Sequence, residues 1–214
     1  MLLPQHAAAR TEPFGYICRS CSQCCPRKYI RVNPYEVARM ARFLQISTTQ
    51  FRDFYTEQNG AILKRNDSDT CVFLGDGGCG IYPERPLVCR LYPLGRQVAA
   101  DGTEEWEHAD RPAQSQGTCT SDGTIADWVA SQGAQPFLDA ADAYADWVRT
   151  AYNAMYQDSD HASRTELAAN LLDMDIAIAI YCSSRQIEEP TDLEERLKMH
   201  LRLLYLTLGG EHPR

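Results

Sequence analysis

Apolar residues recur at spacings of three and four over much of the chain, and that rhythm sets out its helices. Asn33 reads as a helix N-cap, with Pro34 at the first helical position and Glu36 completing a capping box. Val37, Met40, Ala41 and Leu44 then form one apolar face, and the helix ends near Gln45. Ser47 and Gln50 repeat the capping signature, with Ile46 and Phe51 placed as a hydrophobic staple and Phe51, Phe54 and Tyr55 as the buried side. Asn59-Gly60 closes this helical hairpin. From Thr124 onward the rhythm predicts three packing helices. Their stripes are Phe137, Ala141, Tyr144, Val148, Ala151 and Met155; then Leu167, Leu171, Met174, Ile178 and Tyr181; then Leu193, Leu197, His200, Leu201, Leu204 and Leu208. Core packing explains such stripes better than a cofactor box does. Ile176 and Ile180 give the middle helix a second apolar side and predict it to be the most buried. Asp173 and Asp175 are then solvent-facing acids, the simpler reading, or a buried acid pair.

Elsewhere the helical period is lost. Residues 1–17 read as an arm, and Ile30-Arg31-Val32 as a short extended segment. From Asp67 to Cys119 turn residues dominate. Gly75 to Gly80 lacks a side chain at four of six positions, which suits either a plain hairpin turn or backbone amides approaching a sulfur. Pro83, Pro86 and Pro93 limit Ile81–Pro93 to short rigid pieces, and Asp101-Gly102 marks a turn with Trp106 beyond it. The fold class that follows is mainly α: an N-terminal arm (1–17), a loop-rich cysteine-cluster metal-binding domain (18–120) with the helical hairpin inserted in it, and a C-terminal acidic helical body (121–214) on which that domain packs.

The chain has 214 residues, 44% of them hydrophobic, enough to bury a core without disulfide staples for its nine cysteines. Met1-Leu2-Leu3 is cut short by Pro4, Gln5 and His6 before an export signal forms, and no long apolar run follows. The expected compartment is therefore the cytoplasm, where thiols stay reduced and clustered cysteines bind metal more often than they pair. The net charge of −8 divides into +5 over residues 1–100 and −13 over 101–214. Arginines in the first half can balance metal-bound sulfur, and the acidic half reads as a solvated surface. No alternation of aromatic and basic residues marks a nucleic-acid interface, so a protein partner or substrate is the expectation, without a membrane.

The chemistry is concentrated in Cys18-Arg19-Ser20-Cys21-Ser22-Gln23-Cys24-Cys25-Pro26, four thiols in eight positions. Three of them repeat at every third residue, so a tight chain path can turn them to one centre. Cys24 and Cys25, being adjacent, are expected to point apart. Cys71, Cys79, Cys89 and Cys119 arrive singly and complete a candidate metal set of eight, enough for one site or two. A disulfide framework and inert buried thiols are the plainer alternatives. Arg85 and Arg90 offer charge to thiolates, or form surface ion pairs. Cys182 stands alone near a helix end, and His6, His108, His161, His200 and His212 are scattered as solvent-facing or packing residues. Structural zinc favours two short ligand pairs, whereas C-x2-C-x2-C is similar to the first three ligands of bacterial ferredoxin clusters. The spacing favours an iron–sulfur cluster, such as a four-iron one, with zinc as the alternative. No glycine-rich nucleotide loop is present, since Gly75 to Gly80 lacks a following Lys-Ser/Thr, and the C-x3-C-x2-C spacing of radical S-adenosylmethionine enzymes is absent.

Together, C-x2-C-x2-C-C at Cys18 to Cys25, Cys71-Val72-Phe73-Leu74, and Cys79-Gly80-Ile81-Tyr82-Pro83-Glu84-Arg85-Pro86-Leu87-Val88-Cys89-Arg90-Leu91-Tyr92-Pro93 resemble the YkgJ or CxxCxxCC family. The family is described as zinc- or iron-chelating and includes the flagellin lysine methylase. The resemblance covers roughly 18–120 and implies cysteine-bound iron–sulfur or zinc at the matching positions. The eight-cysteine pattern itself points to a redox or modification-supporting cluster protein, with a zinc-stabilised protein-binding module whose acidic helices contact a partner as the alternative; the resemblance alone adds a protein-modifying methyltransferase. Ser22 stands where the family often has glycine, a departure confined to local turn geometry.

Overall fold

Each helix of the inserted hairpin begins where its cap residue leaves the helical region. Asn33 is extended (φ −100°), its side chain accepts from the Glu36 amide, and the Glu36 carboxylate accepts from the Asn33 amide at 2.9 Å. Helix α1 therefore starts at Pro34 and runs Pro34–Leu44, ended by Gln45 in the left-handed region. Ser47 and Gln50 make the same reciprocal cap for α2, Thr48–Tyr55. The structure, a computed structural model, describes residues 8–99, 101–156 and 171–208, with the side chains at 154–156 excepted. His6, His161, Leu167, His212 and the Met155 side chain lie outside the described residues.

Among the described residues there are seven helices and eight short strands in four open two-stranded sheets, so the chain is mainly α. The remaining helices are α3 (Leu87–Leu91), α4 (Ile125–Ser131), α5 (Gln135–Tyr156), α6 (Met174–Arg185) and α7 (Leu193–Leu206). The strands are β1 (Pro13–Ile17), β2 (Thr56–Glu57), β3 (Ile62–Leu63), β4 (Leu74–Gly75), β5 (Gly78–Cys79), β6 (Leu94–Val98), β7 (Glu104–His108) and β8 (Thr118–Thr124). All four pairings are antiparallel: β1 with β8, β2 with β3, β4 with β5, and β6 with β7. No described helix is long and apolar enough to cross a membrane.

Contacts divide the chain into two compact units, one of residues 1–30 with 65–136, the other of 31–64 with 137–214. All eight clustered cysteines fall in the first unit. There, β1 and β8 pair a stretch read as an arm with residues a hundred positions later, burying Phe14. The strand was not legible because its partner is remote and its alternation covers only Phe14 to Tyr16. Glu104 is held between Arg10, at 2.6 Å, and Arg96, which together pull its carboxyl down to about 2.

In the second unit the hairpin and the later helices share a core of Tyr35, Ala38, Tyr144, Trp147, Met174, Ile178, Leu201 and Leu204. Phe137, Tyr144 and Ala151 of the expected α5 stripe are buried, but Val148 is 54% exposed. Ala140 and Trp147 take the inward positions, a stripe of the same three-and-four spacing turned toward the larger ring, which removes more apolar surface from water than valine. On α2, Phe51 is buried and Phe54 is 61% exposed, because the inward face runs through Phe51 and the half-buried Tyr55 at i and i+4. Helix α6 buries Met174, Ala177, Ile178 and Cys182, while Ile180 is 66% exposed. The expected second buried side is therefore not formed, since α6 packs along a single face.

The two acids at the start of α6 part company. Asp173 is fully buried, caps the helix, and accepts from the hydroxyls of Thr48 and Thr49, with Arg52 at 3.3 Å. Asp175 stays partly exposed and accepts from the Thr48 amide at 3.0 Å and from Arg196 at 2.7 Å. Asp173 is thus no solvent-facing acid, and each carboxylate has its own donors, as burial of a charge requires.

Candidate metal centre

The segment after Cys24 is drawn against residues 69–71. Cys25 donates its amide to the Ser22 carbonyl at 3.1 Å, closing a turn in which Ser22 sits at φ 56°. Pro26 then bridges Thr70, and the Arg27 amide donates to the Asp69 carbonyl at 2.8 Å. Extending that antiparallel register by one residue sets Cys25 against Cys71. A second pairing brings in Cys79: β4 and β5 form a hairpin with Leu74 opposite Cys79 and Gly75 opposite Gly78, and Asp76-Gly77 spans its turn. Gly78 at φ 95° occupies a conformation that glycine adopts freely. Finally the proline-limited helix α3 presents Cys89, whose amide donates to Pro86.

The charges of these five thiols are coupled. Cys25 donates its S–H to Cys24, which, helped by nearby Lys28 and Arg85, pulls the Cys24 thiol down to about 6 and pushes Cys25 up. Burial pushes Cys71, Cys79 and Cys89 up, and the other sulfurs add to it: Cys71 feels Cys79 and Cys24, Cys79 feels Cys24, and Cys89 feels all three. Amides two residues on, from Phe73 and Ile81, donate to the sulfurs of Cys71 and Cys79. A group of thiols that oppose one another's ionisation is relieved by a cation among them, which is how thiolate sites gain metal and lose protons.

Cys18 and Cys21 both bear on Tyr16, while Cys119 is placed by the pairing of β1 with β8. Cys18 directly follows β1 and is exposed, with the Ser20 amide 3.4 Å from its sulfur. The Cys21 sulfur accepts from the Gln116 amide at 3.5 Å and from Gln23, and these bonds lower its pKa. Cys119 stands opposite Tyr16 in the β1–β8 pair. Tyr16 senses both Cys18 and Cys21, and burial raises its own pKa.

All nine cysteines are free thiols. Among the described residues no three of the Cys, His, Asp and Glu side chains already converge as a ready metal cage. What the chain brings together is sulfur: the donor set is soft, without carboxylate or imidazole, and suits zinc or iron–sulfur rather than a hard cation. Adjacent Cys24 and Cys25, expected to point apart, are hydrogen-bonded to each other, as the turn at Ser22 breaks the extended path. Arg85 acts on Cys24 and Cys79 while stacking on Tyr82 at 4.0 Å and donating to Gln132 at 2.7 Å. Arg90 is chiefly a brace, donating to the carbonyls of Pro83 and Gln132. Lys28 was missed by sequence reasoning. It lies over the Tyr92 ring at 4.1 Å and bears on Cys24 and Cys89, and its signal was a cation three residues past the last clustered cysteine. Cys182 is buried against the Met199 sulfur at 3.8 Å, away from the others in the second unit.

No curated protein and no solved structure matches the chain. A family model does match, over residues 17–120, under the description CxxCxxCC, Putative zinc- or iron-chelating domain. That span begins one residue before Cys18 and ends one residue after Cys119, so it contains every clustered thiol described above. The cysteine-rich part of this chain belongs to the CxxCxxCC family of zinc- or iron-chelating domains.

Proposed function

We propose that the first unit is a cytoplasmic thiolate metal centre whose main occupant is an iron–sulfur cluster, serving electron transfer or supporting a modification reaction. The observation that carries this is the coupling of five thiols, Cys24, Cys25, Cys71, Cys79 and Cys89, with Lys28 and Arg85 as the nearby cations. A cluster needs four thiolates and a supply of positive charge to offset them. When bound, it supplies one-electron chemistry. The chain's own part is to hold the ligands and set their charge: Phe73 and Ile81 direct amides at two sulfurs, and Lys28 and Arg85 favour the thiolate. Methyl transfer to protein remains a family association with no residue here that supports it.

Anaerobic purification followed by analysis for iron, zinc and acid-labile sulfide tests the reading. Iron with matching sulfide and a visible absorption that bleaches on reduction are expected. Stoichiometric zinc without colour would replace it with a zinc-stabilised binding module. Cys89→Ser is expected to lose cluster iron and Cys182→Ser to retain it.

A further inference from the structure

We propose that the second unit carries a binding site for a zwitterion with an aliphatic body, an apolar α-amino acid or a short peptide ending in one. The site is independent of the metal centre, since every residue that lines it falls in 31–64 or 137–214. Between α1, α6 and α7 lies an open cavity of about 570 Å³, a size usual for small-molecule sites. It exists because the side chains beneath it are short. Ala38 and Ala41, one turn apart on α1 and both buried, form its floor with Ala179 of α6, and Ile46 and Leu193 flank them. Such a floor offers apolar surface that a ligand's hydrocarbon can remove from water.

The charges on the rim are left one short on each side. Arg196, its side chain only 10% exposed, donates to Asp175 at 2.7 Å, to Glu189 at 3.2 Å and to the Pro190 carbonyl at 3.0 Å. Two carboxylates thus share one guanidinium, leaving one negative charge over. Asp175 spends its second oxygen on the Thr48 amide at 3.0 Å, so the open acceptor is Oε1 of Glu189, whose bond to Arg196 runs through Oε2. Arg42, exposed on α1, donates to the Thr191 carbonyl at 2.9 Å and has no carboxylate partner among the described residues, which leaves one positive charge over. Glu189 and Thr191 lie on the same connection from α6 to α7, so the open anion and the open cation line one cavity above the alanines. A plain carboxylate would answer Arg42 but meet Glu189 as a like charge, and a plain amine would do the reverse. A zwitterion answers both: its carboxylate takes the planar fork of Arg42, its ammonium takes Glu189, and its aliphatic part covers the floor.

Calorimetric titration of the full chain, purified anaerobically, tests this with four probes at neutral pH. Leucine and leucyl-leucine carry both charges; 4-methylpentanoate lacks the ammonium, and 3-methylbutylamine lacks the carboxylate. Leucine or the dipeptide should bind, the tighter of the two showing whether a free amino acid or a peptide is the better fit, and each singly charged probe should bind at least about tenfold more weakly. Arg42→Gln should weaken the zwitterion by about tenfold or more. Ala179→Leu, which fills the floor, should abolish binding. Both variants should unfold close to the wild-type temperature, because Arg42 is exposed and the cavity has room for the larger side chain. Binding of 4-methylpentanoate as tight as that of leucine overturns the zwitterion. Silence with all four probes, or wild-type affinity in both variants, overturns the site.

Discussion

Acidification should weaken the second unit through one residue, His200. Its ring is fully buried between the Tyr144 hydroxyl, 2.7 Å from Nδ1, and the Leu171 carbonyl, 2.6 Å from Nε2. A carbonyl accepts only, so Nε2 carries the hydrogen and Nδ1 accepts from Tyr144, whose own pKa burial raises well above its ordinary value. Both nitrogens are satisfied in the neutral ring, and a second proton would turn Nδ1 into a donor facing a donor. Burial, the largest influence, lowers the His200 pKa to about 4; Asp173 opposes this, while Arg196 and Arg52 assist. The unfolded chain, near 6.5, therefore binds the proton that the folded one refuses. Stability from this group is complete above about pH 6.5 and is lost as pH falls toward 4, by about 3 kcal/mol at ~1.4 kcal/mol per pH unit. Urea denaturation of wild type and His200→Gln, followed through each unit by hydrogen exchange from pH 7.5 to 4.5, isolates the effect. Metal release from the cysteines is common to both proteins and cancels in the difference. The variant should be the less stable protein at pH 7.5, and its deficit should shrink steadily with acidification. Equal pH dependence of the two proteins would refute the reasoning.

Other expectations concern the first unit. A Cβ at Gly117 would lie 1.8 Å from the Tyr16 hydroxyl oxygen, so Gly117→Ala should cost about 1–3 kcal/mol in thermal denaturation, whereas Gly77→Ala, with nothing within 4 Å, should be near neutral. Glu104→Gln removes the charge between Arg10 and Arg96 and should cost about 1–2 kcal/mol at pH 7. Because the folded carboxyl titrates near 2, that difference should persist above pH 4.5 and vanish as pH falls toward 2, read from parallel unfolding curves. Ser22 holds a left-handed conformation at φ 56°, so Ser22→Gly should raise the melting temperature slightly, by roughly 0.5 kcal/mol once the extra chain entropy of glycine is subtracted. A lower melting temperature would show that the serine side chain contributes more than its backbone costs.

What could be read from the residues was what local chemistry decides. Both capping boxes, Asn33 with Glu36 and Ser47 with Gln50, are complete within four positions and were found where expected. The turn at Asp101-Gly102 likewise joins β6 to β7, and Gly78 has the positive φ that a hairpin of this kind uses. Choices among similar faces were harder: Val148 and Trp147 both fit the α5 rhythm, and burial of the larger ring decided between them. Long-range pairing was beyond local reading. Nothing near Cys25 announces that Thr70 will bridge Pro26, or that Gln116 will meet Cys21. The family pattern singles out candidate cysteines; the backbone pairings show what each is set against.

The interleaving of the two units has a consequence for synthesis. Residues 31–64 leave the ribosome early, but the helices that share a core with Tyr35 and Ala38 come from 137–208. At 5–20 residues per second, the apolar side of α1 waits on the order of 10 s for them, while the cysteine unit is already complete at residue 136. During that interval the nascent chain carries an uncovered sticky face although its cysteine unit is complete. A fragment ending at residue 120 would keep that face uncovered permanently, so the family-matched segment should be aggregation-prone when made without the helices that follow it.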